Sequence, residues 1–266
     1  MKKRSLIISL SSLVTFFACD KVDDPYPSEL GKSIIYNNTE YIVDQSFGVG
    51  NINELNSFIN DNTWESKSAP DNSAARFVLI EEFTGHLCVS CPQGTKEIIR
   101  LDGIYGDTLI PVGIHAGGFA APERNTGRYS TDFRVEGGHG EVYIELFKAN
   151  FNPSGVVSRL GDASKRERWE QDILSIKNDL PSASIKMTNY YSSVKNAVRS
   201  NIEITWLANI PEEFNLQLYL LEDHIIDWQY DAGVDIQYYD HRHVLRKVIN
   251  DTFGKSLSTC LLYTSD

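Results

Sequence analysis

Cys88 and Cys91 enclose two residues in the run Cys88-Val89-Ser90-Cys91-Pro92. At the start of a helix this spacing brings two sulfurs within bonding reach. The first sulfur then lies over backbone amides that have no intrahelical acceptor. Those amides and the helix dipole favour thiolate over thiol, which makes Cys88 the nucleophile and Cys91 the resolving partner of a thiol–disulfide exchange. Three other readings compete. The pair is half of a four-thiolate zinc site, but Cys19 and Cys260 stand alone and supply no second pair. In an oxidising compartment it is a structural disulfide, which needs no reactive thiolate. Two unrelated buried thiols complete the set, and the strand-to-helix setting argues against them.

The flanking elements suit the first reading. Arg76-Phe77-Val78-Leu79-Ile80 is a compact apolar run, the mark of a buried strand, and Thr95-Lys96-Glu97-Ile98-Ile99-Arg100-Leu101 has helical spacing. Pro92 falls in the first helical turn, where a missing amide costs little. The stretch 108–115 reads as the next parallel strand, since the connection is long enough for a βαβ crossover. A glycine-rich insertion over 116–140 follows, then a helical stretch over 141–151, a short apolar strand after Pro153 and a closing helix over 163–180. His86 and His115 stand near the strand ends on the cysteine side. A protonated His86 would stabilise a Cys88 thiolate, although an exposed loop histidine is the default for both.

These elements resemble the thioredoxin-like superfamily: a buried strand, an acid six residues before the first cysteine, an aromatic after that acid, and CxxC at the helix start. The resemblance implies that Glu82 is a buried acid moving protons at Cys91. It also implies that Pro153, preceding a strand at the right place in the element order, is a cis-proline shaping the substrate groove. A solvated loop carboxylate and a plain turn proline are the alternatives for these two residues. Leu87 stands where thioredoxins usually carry Trp, and Val89-Ser90 where they carry Gly-Pro, so the direction of exchange is not set by these residues. The wider phrase Leu79-Ile80-Glu81-Glu82-Phe83-Thr84-Gly85-His86-Leu87-Cys88-Val89-Ser90-Cys91-Pro92 is similar to a family of Bacteroidota lipoproteins related to the twenty-eight-kilodalton outer membrane protein. That resemblance implies a thioredoxin-like domain followed by a β-sandwich, and export to the cell surface.

From residue 182 the pattern turns to period two, in the runs 184–190, 198–206 and 215–220, as antiparallel strands of an immunoglobulin-type sandwich would. His241-Arg242-His243 would point both imidazoles to one strand face. With no third ligand legible, a polar strand face is the preferred reading.

The N-terminus is an address. Lys2-Lys3-Arg4 precedes an apolar stretch over 6–18, too short to span a bilayer and suited to an export signal. It ends at Ala18-Cys19, which resembles a lipobox with Cys19 as the acylated residue, although Phe16 and Phe17 stand where a lipobox usually has an aliphatic and a small residue; an ordinary secreted protein with an unmodified Cys19 is the alternative. Loss of the three basic residues takes the net charge from −11 to −14. An acidic chain without a Lys/Arg run repels phosphate backbones and argues against nucleic-acid binding. The 266 residues, 41% hydrophobic and 23% charged, exclude wholesale disorder and a polytopic membrane protein. Cys260-Leu261-Leu262-Tyr263-Thr264-Ser265-Asp266 has the pattern of a translated library adapter.

The expected organisation is therefore a lipoprotein signal over 1–19, a tether with a hairpin over 20–75, an α/β thioredoxin-like domain over 76–180, an incomplete all-β immunoglobulin-like sandwich over 181–259, and an adapter tail over 260–266. The expected function is an outer-membrane lipoprotein capable of thiol–disulfide exchange with a protein partner, with catalytic residues Cys88, Cys91, Glu82 and Pro153 and neither cofactor nor metal. The competing expectation is a surface binding or adhesion lipoprotein whose cysteines form a static disulfide.

Overall fold

The computed structural model describes residues 75–125, 128–192, 197–208 and 214–257, with short strand segments at 4–9, 14–15, 34–36, 39–41 and 65–68. Cys19, most of the 20–75 tether and the tail at 260–266 lie outside the described residues. Within the tether, Ile34–Tyr36 pairs antiparallel with Thr39–Tyr41. No helix among the described residues is long and apolar enough to cross a membrane.

The architecture is mixed α/β and mostly sheet. Strand β1 (Val78–Thr84) is buried along its whole length. It leads through the loop at 85–90 to helix α1 (Cys91–Tyr105), which has proline in its first turn, buries Ile98 and Leu101, and ends at Gly106 with φ 54°. Strand β2 (Leu109–His115) then pairs parallel to β1, from Val78 with Leu109 to Thr84 with His115. Helix α2 (His139–Phe147), strand β3 (Ser154–Val157) and helix α3 (Arg166–Leu174) follow, and β3 pairs antiparallel to the other side of β1.

Alternation along β1 divides the core. Leu79 and Phe83 face a cluster with Tyr143, Phe147 and Tyr219 on the α2 side. Val78 and Ile80 face Ile98, Leu101, Trp169 and Ile173 beneath α1 and α3. Each such side chain contributes about 1.5–3 kcal/mol by burial, so the sheet is firmly clamped between its helices. The same alternation places Glu81 on the α2 side and Glu82 beneath α1. Glu81 is matched there by Arg159, whose Nε and Nη2 donate to its carboxylate at 2.8 and 2.7 Å. Burial alone would lower the Arg159 pKa, but the Glu81 carboxylate more than offsets it and keeps the guanidinium charged.

The remaining strands are β4 (Ala183–Ser192), β5 (Ala197–Trp206), β6 (Phe214–Glu222), β7 (Ile225–Asp231), β8 (Val234–His241), β9 (Val244–Val248) and β10 (Lys255–Ser256). Their alternation gives strands where the sequence predicts them, yet they do not form a detached immunoglobulin-type sandwich. Strand β9 pairs with β2 and with β6, so the main sheet crosses the expected boundary at residue 181: it runs from the segment Arg4–Ser9, parallel to β6 and lying within the expected export signal, through β6–β9–β2–β1–β3, with β10 also paired to β6. Gly113 makes this junction: its N–H donates to the His243 carbonyl at 2.7 Å. A side chain there would press on the Arg242 carbonyl at 3.3 Å. A sandwich-like layer does exist, with Ile202, Ile185 and Ile204 of the β4–β5 pair against Leu216 and Leu218 of β6. One of its two layers is the continuation of the α/β sheet.

Candidate functional site

Cys88 and Cys91 form a disulfide at the N-terminus of α1. Pro92 and the turn Cys91 N–H to Cys88 O, 3.2 Å, set the helix start, and Ser90 Oγ donates to the Asn152 carbonyl at 3.3 Å. That last bond brings the segment before β3 against the cysteines. The Asn152–Pro153 peptide bond is cis. A Cβ on Gly94 would lie 2.7 Å from Pro153 Cβ and would collide with Glu82 Oε1. The bare glycine thus lets the proline, the acid and the first turn of α1 meet.

Glu82 is buried, and its Oε1 has no hydrogen-bond partner. Desolvation alone pushes its pKa from 4.5 up to about 8, so the carboxyl is protonated at neutral pH. Glu82 and Cys91 line one cavity together with Thr84, His115 and Tyr239, of about 20 Å³. That is room for about one water, enough to relay a proton between acid and sulfur.

Both cysteines are covered, with 3% and 1% of their surfaces exposed. The cover is the β7–β8 hairpin, which turns at Ala232 and Gly233, both with positive φ, as a tight two-residue hairpin requires. Its Tyr230 N–H donates to the His86 carbonyl at 2.9 Å and its Ala232 N–H to the Val89 carbonyl at 3.0 Å. Gln229 Nε2 donates to the carbonyls of Gly85 and Cys88, each at 3.3 Å. Asp231 accepts from Gln93 of α1 at 3.2 Å and pairs with Lys96 at 3.7 Å. Nothing in the local sequence around the cysteines announces this strap, because most of its partners are backbone carbonyls.

Behind the disulfide three histidines converge from three elements. His86 follows β1, His115 ends β2 and His241 ends β8. They are 0%, 3% and 4% exposed. Ring centroids are 5.3 Å apart for His86 and His115, 4.8 Å for His86 and His241, and 5.7 Å for His115 and His241. Phe133 packs against all three. Burial lowers the His86 pKa to about 4, against the pull of Asp227 and Asp132. Burial and His86 bring His241 to about 3, and His115 falls well below its ordinary value through burial, His86, His241 and Arg246. All three are neutral at pH 7.

The four expected catalytic positions Cys88, Cys91, Glu82 and Pro153 thus lie together. Glu82 is not a solvated loop carboxylate, and His86 is not an exposed loop histidine. The His241/His243 pair does not share a strand face: β8 ends at His241, and His243 adopts φ 53° and turns to Asp223 at 3.8 Å. The imidazole partners of His241 come from residues far away in the chain, which no local spacing could display.

Nothing among the curated proteins matches the chain. HBP35 of Porphyromonas gingivalis is a solved structure with 15% identity and a TM-score of 0.43, over 70% of this chain and 60% of that one. A protein from Agrobacterium tumefaciens matches at 11% identity and a TM-score of 0.35, over 64% of this chain and 70% of its own. From residue 141 to 264 the chain matches the family model described as outer membrane protein Omp28, and to that family it is similar over its C-terminal part.

Proposed function

We propose that this chain is an exported, lipid-anchored protein of the cell envelope, held at the outer membrane through Cys19. Its thioredoxin-like unit carries out thiol–disulfide exchange at Cys88 and Cys91. The observation that carries this reading is Glu82, a buried, protonated carboxyl whose Oε1 has no hydrogen-bond partner and which shares a cavity with Cys91. A merely structural disulfide gains nothing from an uncompensated acid beside it, and burying one is costly. The similarity to outer membrane protein Omp28 supports the envelope location.

In the exchange, a partner thiolate attacks Cys88 Sγ and forms a mixed disulfide while the Cys88–Cys91 bond breaks. Cys91 leaves as thiolate and takes the proton of Glu82. A second partner thiol then attacks the partner's sulfur in the mixed disulfide and releases Cys88 as thiolate, held by the helix N-terminus. The partner is oxidised by two electrons and the cysteine pair reduced by two. The reverse sequence reduces a partner disulfide, with the Glu82 carboxylate accepting the Cys91 proton. The β7–β8 hairpin must lift before either can begin.

The burial of both sulfurs favours a second reading, a binding lipoprotein with a static disulfide. Expression of Cys91→Ser in the native envelope separates the two. Exchange predicts reducible mixed disulfides through Cys88 that are absent with Cys88→Ser. Their absence from both variants leaves the static disulfide.

A further inference from the structure

We propose that His86, His115 and His241 form a metal site for a divalent cation of the zinc class, built where the ends of β1, β2 and β8 meet. The ligating atoms of the three imidazoles lie within 4.8 Å of one another, with all three residues buried. Three nitrogens around a tetrahedral zinc, at about 2.0–2.1 Å from the ion, stand roughly 3.3 Å apart, so small side-chain rotations close the site.

Unpartnered polar atoms point to a ligand. Both ring nitrogens of His86 and Nδ1 of His115 are buried without a hydrogen-bond partner. Buried polar groups are costly to leave unpaired, and a lone pair on a neutral imidazole is satisfied by a cation as well as by a donor. One of the histidines also shows the supporting arrangement of metal-bound imidazoles, in which a ring nitrogen donates to a carbonyl. His241 Nε2 donates to the Trp228 carbonyl at 3.4 Å.

His115 and His241 also line the small cavity next to Glu82 and Cys91, which leaves a fourth coordination position for water. A borderline cation matches three imidazoles with no thiolate available, since both nearby sulfurs are bonded to each other. The site and the exchange reaction are independent: a metal held by three histidines stands whether the disulfide is active or static.

The experiment uses the full oxidised chain, folded with zinc supplied and freed of loose metal by a weak chelator. Bound zinc is counted by mass spectrometry, and ligation is read by X-ray absorption. The expected result is one zinc per chain with three imidazole nitrogens at about 2.0 Å. His241→Ala and His115→Ala should each weaken zinc by at least ~100-fold, the upper end of what loss of a supporting residue costs, whereas His224→Ala on the surface should not. No retained zinc, ligation without imidazole, or wild-type affinity in folded His241→Ala would each overturn the site. Because the absorption spectrum is taken on wild-type protein, a variant that fails to fold does not spare the proposal.

Discussion

Replacing Glu82 by Gln should make the protein more stable at alkaline pH. The carboxyl is buried, its Oε1 is unpartnered, and desolvation raises its pKa from 4.5 to about 8. Between those two values the folded chain retains a proton that the unfolded chain has released. Stability contributed by the protonated acid is therefore complete below pH 4.5 and is lost as pH rises to 8. At 1.36 kcal/mol per pH unit, the loss approaches about 5 kcal/mol by pH 8. Gln cannot ionise and occupies nearly the same volume. Its stability relative to wild type should be constant below pH 4.5, should rise steadily between pH 4.5 and 8, and should level off above. Urea unfolding of both proteins with the disulfide intact, at half-unit intervals from pH 4 to 9, gives the difference curve directly. Titration of the histidines cancels in that difference. Parallel curves would refute the reasoning, because they would mean that Glu82 titrates alike in the folded and unfolded chains.

Four further outcomes follow from particular contacts. Gly94→Ala should lose about 1–3 kcal/mol in urea unfolding, because its methyl group meets the rigid ring of Pro153 at 2.7 Å as well as Glu82. Arg159→Leu should lose about 3–5 kcal/mol, since it leaves Glu81 buried without its guanidinium; Arg159 and Glu81 side chains are 4% and 0% exposed. Gln229→Ala removes the donor that ties the hairpin to Gly85 and Cys88, worth about 1 kcal/mol. Reduction of the disulfide by dithiothreitol should accelerate roughly fivefold without loss of the fold. In metal-free protein the depressed histidines act in the opposite sense to Glu82. Their contribution is complete above pH 6.5 and is lost as pH falls toward 4 and 3, the values for His86 and His241, so thermal unfolding should shift down across that interval.

The parts of the site that lie within one short stretch of chain are legible in the amino-acid order alone. The compact apolar run before the cysteines became strand β1, and the CxxC that follows it falls at the start of α1. The place of Pro153 before β3 followed from element order, and the period-two runs became β4, β5 and β6. What escaped the sequence depends on contacts between distant segments. Gly113 lets β9 join β2, but a glycine in an apolar strand does not name the strand that will approach it. The hairpin over Cys88 is fixed mainly by backbone carbonyls, which every sequence offers equally. His86, His115 and His241 come from the ends of three elements, and the one local hint, His241-x-His243, pointed to the wrong partner because the strand stops at its first member. The acid Glu82 was placed by resemblance, whereas its protonation depends on what packs over it.

The central claim is that the N-terminus of α1 activates Cys88 for exchange. The most direct measurement is the pH dependence of Cys88 alkylation in the fully reduced protein. Activation predicts a thiolate pKa below about 7, and a value near ~8.5, that of an ordinary free cysteine, would contradict it.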